Sequence, residues 1–141
     1  MTTTTTTNPQ FSTTRILVVD DNADATLILG MSLQLKGYDV QTCLNGQQAL
    51  ERTQSWRPQA ILLDISMPGM DGFETIRRLR EHPWGQEVVI IALTGYGQAE
   101  DQQRTRAAGF DEHWIKPVDL TLMPTRLLEL ITKKQAGAAT E

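Results

Sequence analysis

Four runs of this 141-residue sequence end on polar side chains. Ile16-Leu17-Val18-Val19 leads into Asp20-Asp21, Ala60-Ile61-Leu62-Leu63 into Asp64, Glu87–Leu93 into Thr94, and Asp111–Ile115 into Lys116. Three carboxylates, a hydroxyl and an ammonium can do a definite chemistry if they meet. Carboxylates brought together at low dielectric repel, and such a cluster is tolerated only with a cation or with its protons retained. Ligands that are all oxygen favour Mg2+ over zinc or copper. Lys116 supplies a compact positive charge for a neighbouring carboxylate or a phosphoryl oxygen. Asp64 is then placed as a nucleophile, because a carboxylate can attack phosphorus and form an aspartyl phosphate. Phosphoryl transfer asks mainly for positioning and charge neutralisation, and Thr94 is expected to donate its hydroxyl to a phosphoryl oxygen.

The elements that must position these groups are legible in the patterning. Runs apolar at every residue suit strands covered on both faces of a parallel sheet. Tyr38–Cys43 alternates apolar and polar, as an edge strand does. Between the strands lie helical segments. The first is capped by Asn22 or Asp24, with Ala23, Leu27, Met31 and Leu35 as its expected buried stripe, and ends at Gly37. The second spans about Gln47 to Ser55, with Ala49, Leu50 and Thr53 inward. A third is carried by Phe73, Ile76 and Leu79 and stops near His82-Pro83. A polar fourth helix runs from about Gln98 to Ala108. The fifth starts between Asp119 and Thr121, holds Pro124 in its first turn and packs Leu127, Leu128, Leu130 and Ile131. The fold class is therefore α/β: five parallel strands flanked by five helices, doubly wound and flavodoxin-like. In strand order 2-1-3-4-5 the first and third strands flank the crevice where the winding reverses.

The domain spans residues 15–134. Residues 1–14, rich in threonine, are expected to be a disordered tail and residues 135–141 a frayed one, having too few apolar groups to offset their ordering. The formal net charge of −4 argues against a nucleic-acid module. Arg77, Arg78 and Arg80 read as a solvated helix face. The lone Cys43 forms no internal disulfide, which suits a reducing cytoplasm, and no apolar stretch approaches the ~20 residues of a membrane span.

The sequence resembles the receiver domain of two-component response regulators, in its single-domain, chemotaxis-regulator-like form. Val18-Val19-Asp20-Asp21-Asn22, Leu63–Gly72, Ala92-Leu93-Thr94-Gly95, Ala108-Gly109-Phe110 and Ile115-Lys116-Pro117 carry the likeness. It implies that Asp64 takes a phosphoryl group from a histidine kinase or a histidine phosphotransfer domain. It implies that Mg2+ is held by Asp20, Asp21, Asp64 and the backbone carbonyl of Ser66, and that Thr94 and Lys116 assist the phosphoryl group. The family's inward-turning aromatic switch corresponds here to His113, paired with Thr94. Gly95 leaves room for the donor, and Tyr96 is expected to lean over the acyl phosphate and slow its hydrolysis.

These readings make the chain a phosphorylation-controlled interaction module rather than an enzyme beyond its own Mg2+-dependent phosphorylation and dephosphorylation. Phosphate would bias a surface made by the fourth helix, fifth strand and fifth helix toward a downstream protein. The expected form is a monomer or a phosphorylation-dependent dimer in the cytoplasm, without nucleic-acid or membrane partners. Two alternatives compete. An aspartate-nucleophile phosphatase wants a second carboxylate two residues after the nucleophile, where Ser66 stands. A receiver fragment of a hybrid histidine kinase fits Leu93–Gly97 with Lys116–Asp119.

Overall fold

The computed structural model describes residues 14–67, 69–95 and 99–139. Five parallel strands, β1 (Arg15–Val19), β2 (Asp39–Cys43), β3 (Ala60–Asp64), β4 (Val89–Thr94) and β5 (Glu112–Ile115), form one sheet in the order β2-β1-β3-β4-β5. Five α-helices, α1 (Ala23–Leu35), α2 (Gly46–Ser55), α3 (Gly72–Arg80), α4 (Ala99–Ala108) and α5 (Met123–Ala139), alternate with them. The expected fold class and strand order are thus observed. β2 is an edge strand with only Cys43 buried, whereas β3 and β4 are buried at every residue.

Alternation along the strands builds two cores. Ile16, Val18, Leu62, Ile91 and Leu93 face α1 and α5, meeting Leu29, Leu33, Met123, Leu127 and Ile131. Leu17, Val19, Ile61, Leu63 and Ile90 face the other helices, meeting Ala49, Ile76 and Leu79. Full burial of a leucine such as Leu62 contributes about 2 kcal/mol, so these layers hold the sheet. Tyr38 ties β2 to α5 through a buried hydroxyl that donates to the Pro124 carbonyl oxygen at 2.7 Å.

The expected stripe on α1 is corrected. Thr26, Leu29, Gly30 and Leu33 face the sheet, while Ala23 is exposed and Leu27, Met31 and Leu35 point to solvent with Ile28. Both sides of this helix are apolar, so periodicity alone does not choose between them. Its phase is set by its start: the Asn22 N–H donates to Asp20 Oδ1 and the Asn22 side chain caps Ala25 N–H. The side carrying Gly30 then lies against Val40 and Thr42. Gly37 ends the helix at φ 99°, the left-handed conformation expected of it.

Thr14 is buried and its carbonyl accepts the Asp39 N–H, and α5 runs to Ala139. Arg77 and Arg78 do lie on a solvated face, paired with Glu74 and Glu81. Arg80 does not. Its guanidinium donates to the carbonyls of Gly85, Val88 and Gly109 and pairs with Asp111. Glu112 at the start of β5 accepts from Arg126 and the Trp114 indole. No described helix is long and apolar enough to cross a membrane.

Candidate phosphoacceptor site

Parallel pairing brings the polar strand ends to one edge of the sheet. Val19 pairs with Leu63, Asp64 with Leu93, and Thr94 with Ile115, so the residues that follow them arrive side by side. Backbone bonds prolong the ladders into the loops: Asp20 N–H to the Cys43 carbonyl at 3.2 Å, Ile65 N–H to Leu93 at 3.1 Å, and Lys116 N–H to Thr94 at 2.7 Å. The loop after β3 turns at Gly69, φ 74°, and α3 begins under an Asp71 cap. A Cβ on Gly72 would lie 2.5 Å from Ile65 Cα and 3.0 Å from the Asp64 carbonyl oxygen. Only glycine lets α3 start this close to the backbone beside Asp64.

At this edge Lys116 bridges two acids. Its Nζ lies 2.9 Å from Asp20 Oδ2 and 3.1 Å from Asp64 Oδ2. The Asp20 and Asp64 side chains are 1% and 5% exposed, against 34% for Lys116. Asp64 Oδ1 accepts two further bonds, from the Ser66 N–H at 2.9 Å and the Ser66 hydroxyl at 3.0 Å. Among the described residues Asp20 Oδ1 accepts the Asn22 N–H at 2.9 Å, and its buried Oδ2 meets only the Lys116 ammonium.

The protonation equilibria follow from these partners. Burial raises the Asp20 carboxyl above its ordinary range, and the Asn22 N–H and Lys116 offset this only in part, with Asp64 adding repulsion. Burial also raises Asp64, but the Ser66 N–H, Lys116 and the Ser66 hydroxyl outweigh it, so Asp64 is held ionised below the usual carboxylate range. Burial disfavours the Lys116 ammonium, and the two carboxylates more than compensate, keeping it charged above the usual lysine range.

One carboxylate oxygen from each of Asp20, Asp21 and Asp64 lies within 4.8 Å of the others. Asp21 is exposed, which leaves this edge open to solvent. Three carboxylate oxygens this close, with one ammonium between two of them, fit a hard divalent cation.

The remaining expected residues divide. Thr94 is buried at the end of β4, and Gly95 is exposed with open space where a Cβ would stand. His113 lies away from this edge. It is half-buried on β5, with Nδ1 3.3 Å from the hydroxyl of Thr105 in α4. Tyr96 lies outside the described residues. Two features went unread in the sequence. One is the Ser66 side chain on Asp64, whose only signal was a hydroxyl residue two positions after an aspartate, the spacing of a local side-chain turn. The other is the role of Arg80, hidden in a run of arginines.

Comparison with known proteins agrees with this geometry. Residues 16–128 match the family model of the response regulator receiver domain. The chain is 40% identical over 116 residues to an uncharacterized 14.6 kDa protein of Leptolyngbya boryana, covering 82% of this chain and 86% of that one. It is 34% identical over 127 residues to the transcriptional regulatory protein PrrA of Mycobacterium leprae, covering 90% of this chain but 54% of PrrA. It thus spans about half the length of that regulator. Among solved structures, the Vibrio cholerae chemotaxis protein CheY4 superposes with a TM-score of 0.79 at 29% identity, covering 83% of this chain and 98% of CheY4. With its strand order, its acidic edge and its match over residues 16–128, the chain belongs to the receiver-domain family of two-component response regulators.

Proposed function

We propose that Asp64 is the phosphoacceptor of this receiver and that a phosphohistidine, on a histidine kinase or a phosphotransfer domain, is the donor. The observation that carries this reading is the Lys116 ammonium bridging the buried Asp20 and Asp64 carboxylates, with the Asp21 carboxylate beside them. A carboxylate held ionised, on a rigid strand end, is ready to attack phosphorus. Lys116 neutralises charge on the transferred group, and the Thr94 hydroxyl donates to a phosphoryl oxygen. Asp20, Asp21, Asp64 and the Ser66 carbonyl would hold Mg2+, which supplies charge neutralisation on the phosphoryl oxygens when bound. Gly95 keeps the approach to Asp64 clear.

The phosphate then acts as a signal rather than as an enzymatic product. The reading favours a two-state surface on α4, β5 and α5, in which His113 ties β5 to α4 through Thr105. A phosphatase reading is less apt, because the position two residues after Asp64 carries a hydroxyl that bonds the nucleophile rather than a second carboxylate. The partner downstream is a protein, and the setting is the cytoplasm. Incubation with Mg2+ and acetyl phosphate tests the assignment by intact mass. Wild type gains one phosphoryl group; Asp64→Asn gains none. Uptake by Asp64→Asn equal to wild type would overturn it.

A further inference from the structure

Four of the eight exposed large apolar residues among the described ones stand on one helix. Leu27, Ile28, Met31 and Leu35 of α1 are between 54% and 85% exposed. The opposite side of α1 already packs on the sheet through Thr26, Leu29, Gly30 and Leu33, so these four are surplus to the fold. Asp24, in the first turn, is the single charged residue of the helix, and Lys36 is its C-cap. Both are exposed, and neither has an ion-pair partner among the described residues. Every residue from Ala25 to Leu35 is uncharged. An outward helix side this apolar marks a contact surface.

The spacing says what covers it. Asp24, Ile28, Met31 and Leu35 follow one another at steps of four, three and four, the seam of a helix that packs lengthwise on another helix, with Leu27 beside it. These steps read the same from either end. A two-fold axis between Ile28 and Met31 therefore sets Ile28 against Met31 of the second copy. It also brings Asp24 to the level of that copy's Leu35, one residue from its Lys36. An isologous interface needs a surface complementary to itself, and this stripe is one. Antiparallel pairing joins the acid of each copy to the base of the other at both ends, whereas parallel pairing would set like charges together. We propose that α1 is a dimerisation surface, on which a second copy of this chain packs its own α1 antiparallel. A lipid surface would call for basic residues flanking the stripe, and α1 has none. The seam takes no residue from α4, β5 or α5, so this pairing needs no phosphate. One helix pair covers less than a standard interface, so the dimer is weak, with a dissociation constant on the order of 100 µM.

Sedimentation velocity of the full chain, from about tenfold below to about tenfold above that concentration, tests the pairing. The mean mass should climb from the 15.8 kDa of one chain toward twice that value, and Asp64→Asn should associate as wild type does. Met31→Asp sets two carboxylates beside the axis and should abolish association, with no loss in melting temperature because Met31 is exposed in the single chain. Lys36→Glu should raise the dissociation constant roughly fivefold, the scale of a surface ion pair. Adding Asp24→Lys to Lys36→Glu should bring it back, which general harm to the helix would not do. A wild type that stays monomeric throughout overturns the proposal and leaves this side of α1 to a different protein. So does a dimer untouched by Met31→Asp, a double swap as weak as Lys36→Glu alone, or a dimer that forms only once Asp64 is phosphorylated.

Discussion

Two clusters of paired charge lie at opposite ends of the sheet, and they are built on opposite plans. At the strand C-termini one cation, Lys116, stands between Asp20 and Asp64, with Asp21 beside them. At the other end one anion, Asp111, stands between Arg80 and Lys134, each at 2.9 Å. The surplus donors of the lower cluster are absorbed: Arg80 reaches three backbone carbonyls, Lys134 reaches Val88, and Asp111 also accepts the Ile90 N–H. The surplus acceptors of the upper cluster are not, since among the described residues Asp20 Oδ2 meets only the one ammonium that Asp64 also uses. Clustered charge alone therefore does not mark a site. What separates the two is whether the backbone completes the coordination, closing one end as a structural clamp and leaving the other short of positive charge.

The strongest way to break this contrast is to remove the central residue at each end. Lys116→Ala should lower phosphate uptake from acetyl phosphate by about 100-fold or more, as loss of a transition-state charge donor does, while the protein stays folded. Asp111→Ala should do the reverse. It leaves two cations without their shared anion and the Ile90 N–H without its acceptor, and should cost about 1–3 kcal/mol in denaturant unfolding, with uptake at the wild-type rate. Slow uptake in Asp111→Ala would show that the ends are coupled.

Metal should sharpen the same contrast at smaller scale. Mg2+ at 100 times its dissociation constant should stabilise the fold by about 2.7 kcal/mol, in the Asp111→Ala protein as in wild type. The pH dependence has a definite sign. Asp20 holds its proton above the ordinary 3.8, so ionised Asp20 costs stability at neutral pH and that cost is relieved as pH falls. Metal needs the ionised form, so the Mg2+-induced rise in Tm should fade on acidification while the pH is still above 3.8. Asp64, held ionised below 3.8, contributes stability above that value and should lose it only at lower pH. A Mg2+ effect constant down to pH 3.8 would contradict this order of titration.

The smallest effect concerns α1, which joins neither cluster by its apolar residues. A Cβ on Gly30 would meet Thr42 Cγ2 at 3.5 Å, an ordinary contact. Gly30→Ala should therefore raise stability by up to about 1 kcal/mol, the helix-propensity difference, with no change in phosphate uptake. A loss in melting temperature would mean that the helix cannot shift against β2.

The upper cluster was legible in the sequence because parallel strands carry their last residues to a common edge. Once Ile16–Val19, Ala60–Leu63 and Glu87–Leu93 read as covered strands, Asp20, Asp64 and Thr94 had to be neighbours. The lower cluster was not, because Asp111 precedes β5, Arg80 closes α3 and Lys134 lies within α5, and no pattern of period two or 3.6 links those positions. The α1 stripe failed for a different reason. Leu29 and Leu33 repeat with the same four-residue step as Leu27, Met31 and Leu35, so the choice of side depended on a tether at Asn22. The bond from Ser66 to Asp64 is local geometry that residue type alone permits but does not require.

That tether has a bearing on how the upper acids can be dissected. Because the first peptide group ahead of α1 hangs from Asp20 Oδ1, this carboxylate is a peg for the helix as well as a candidate metal ligand. Replacing it with alanine would loosen the entry to α1 and empty the coordination sphere in one stroke, so a dead variant would not say which loss mattered. Asp21 carries no such fastening among the described residues and is exposed, which makes it the cleaner handle on metal binding.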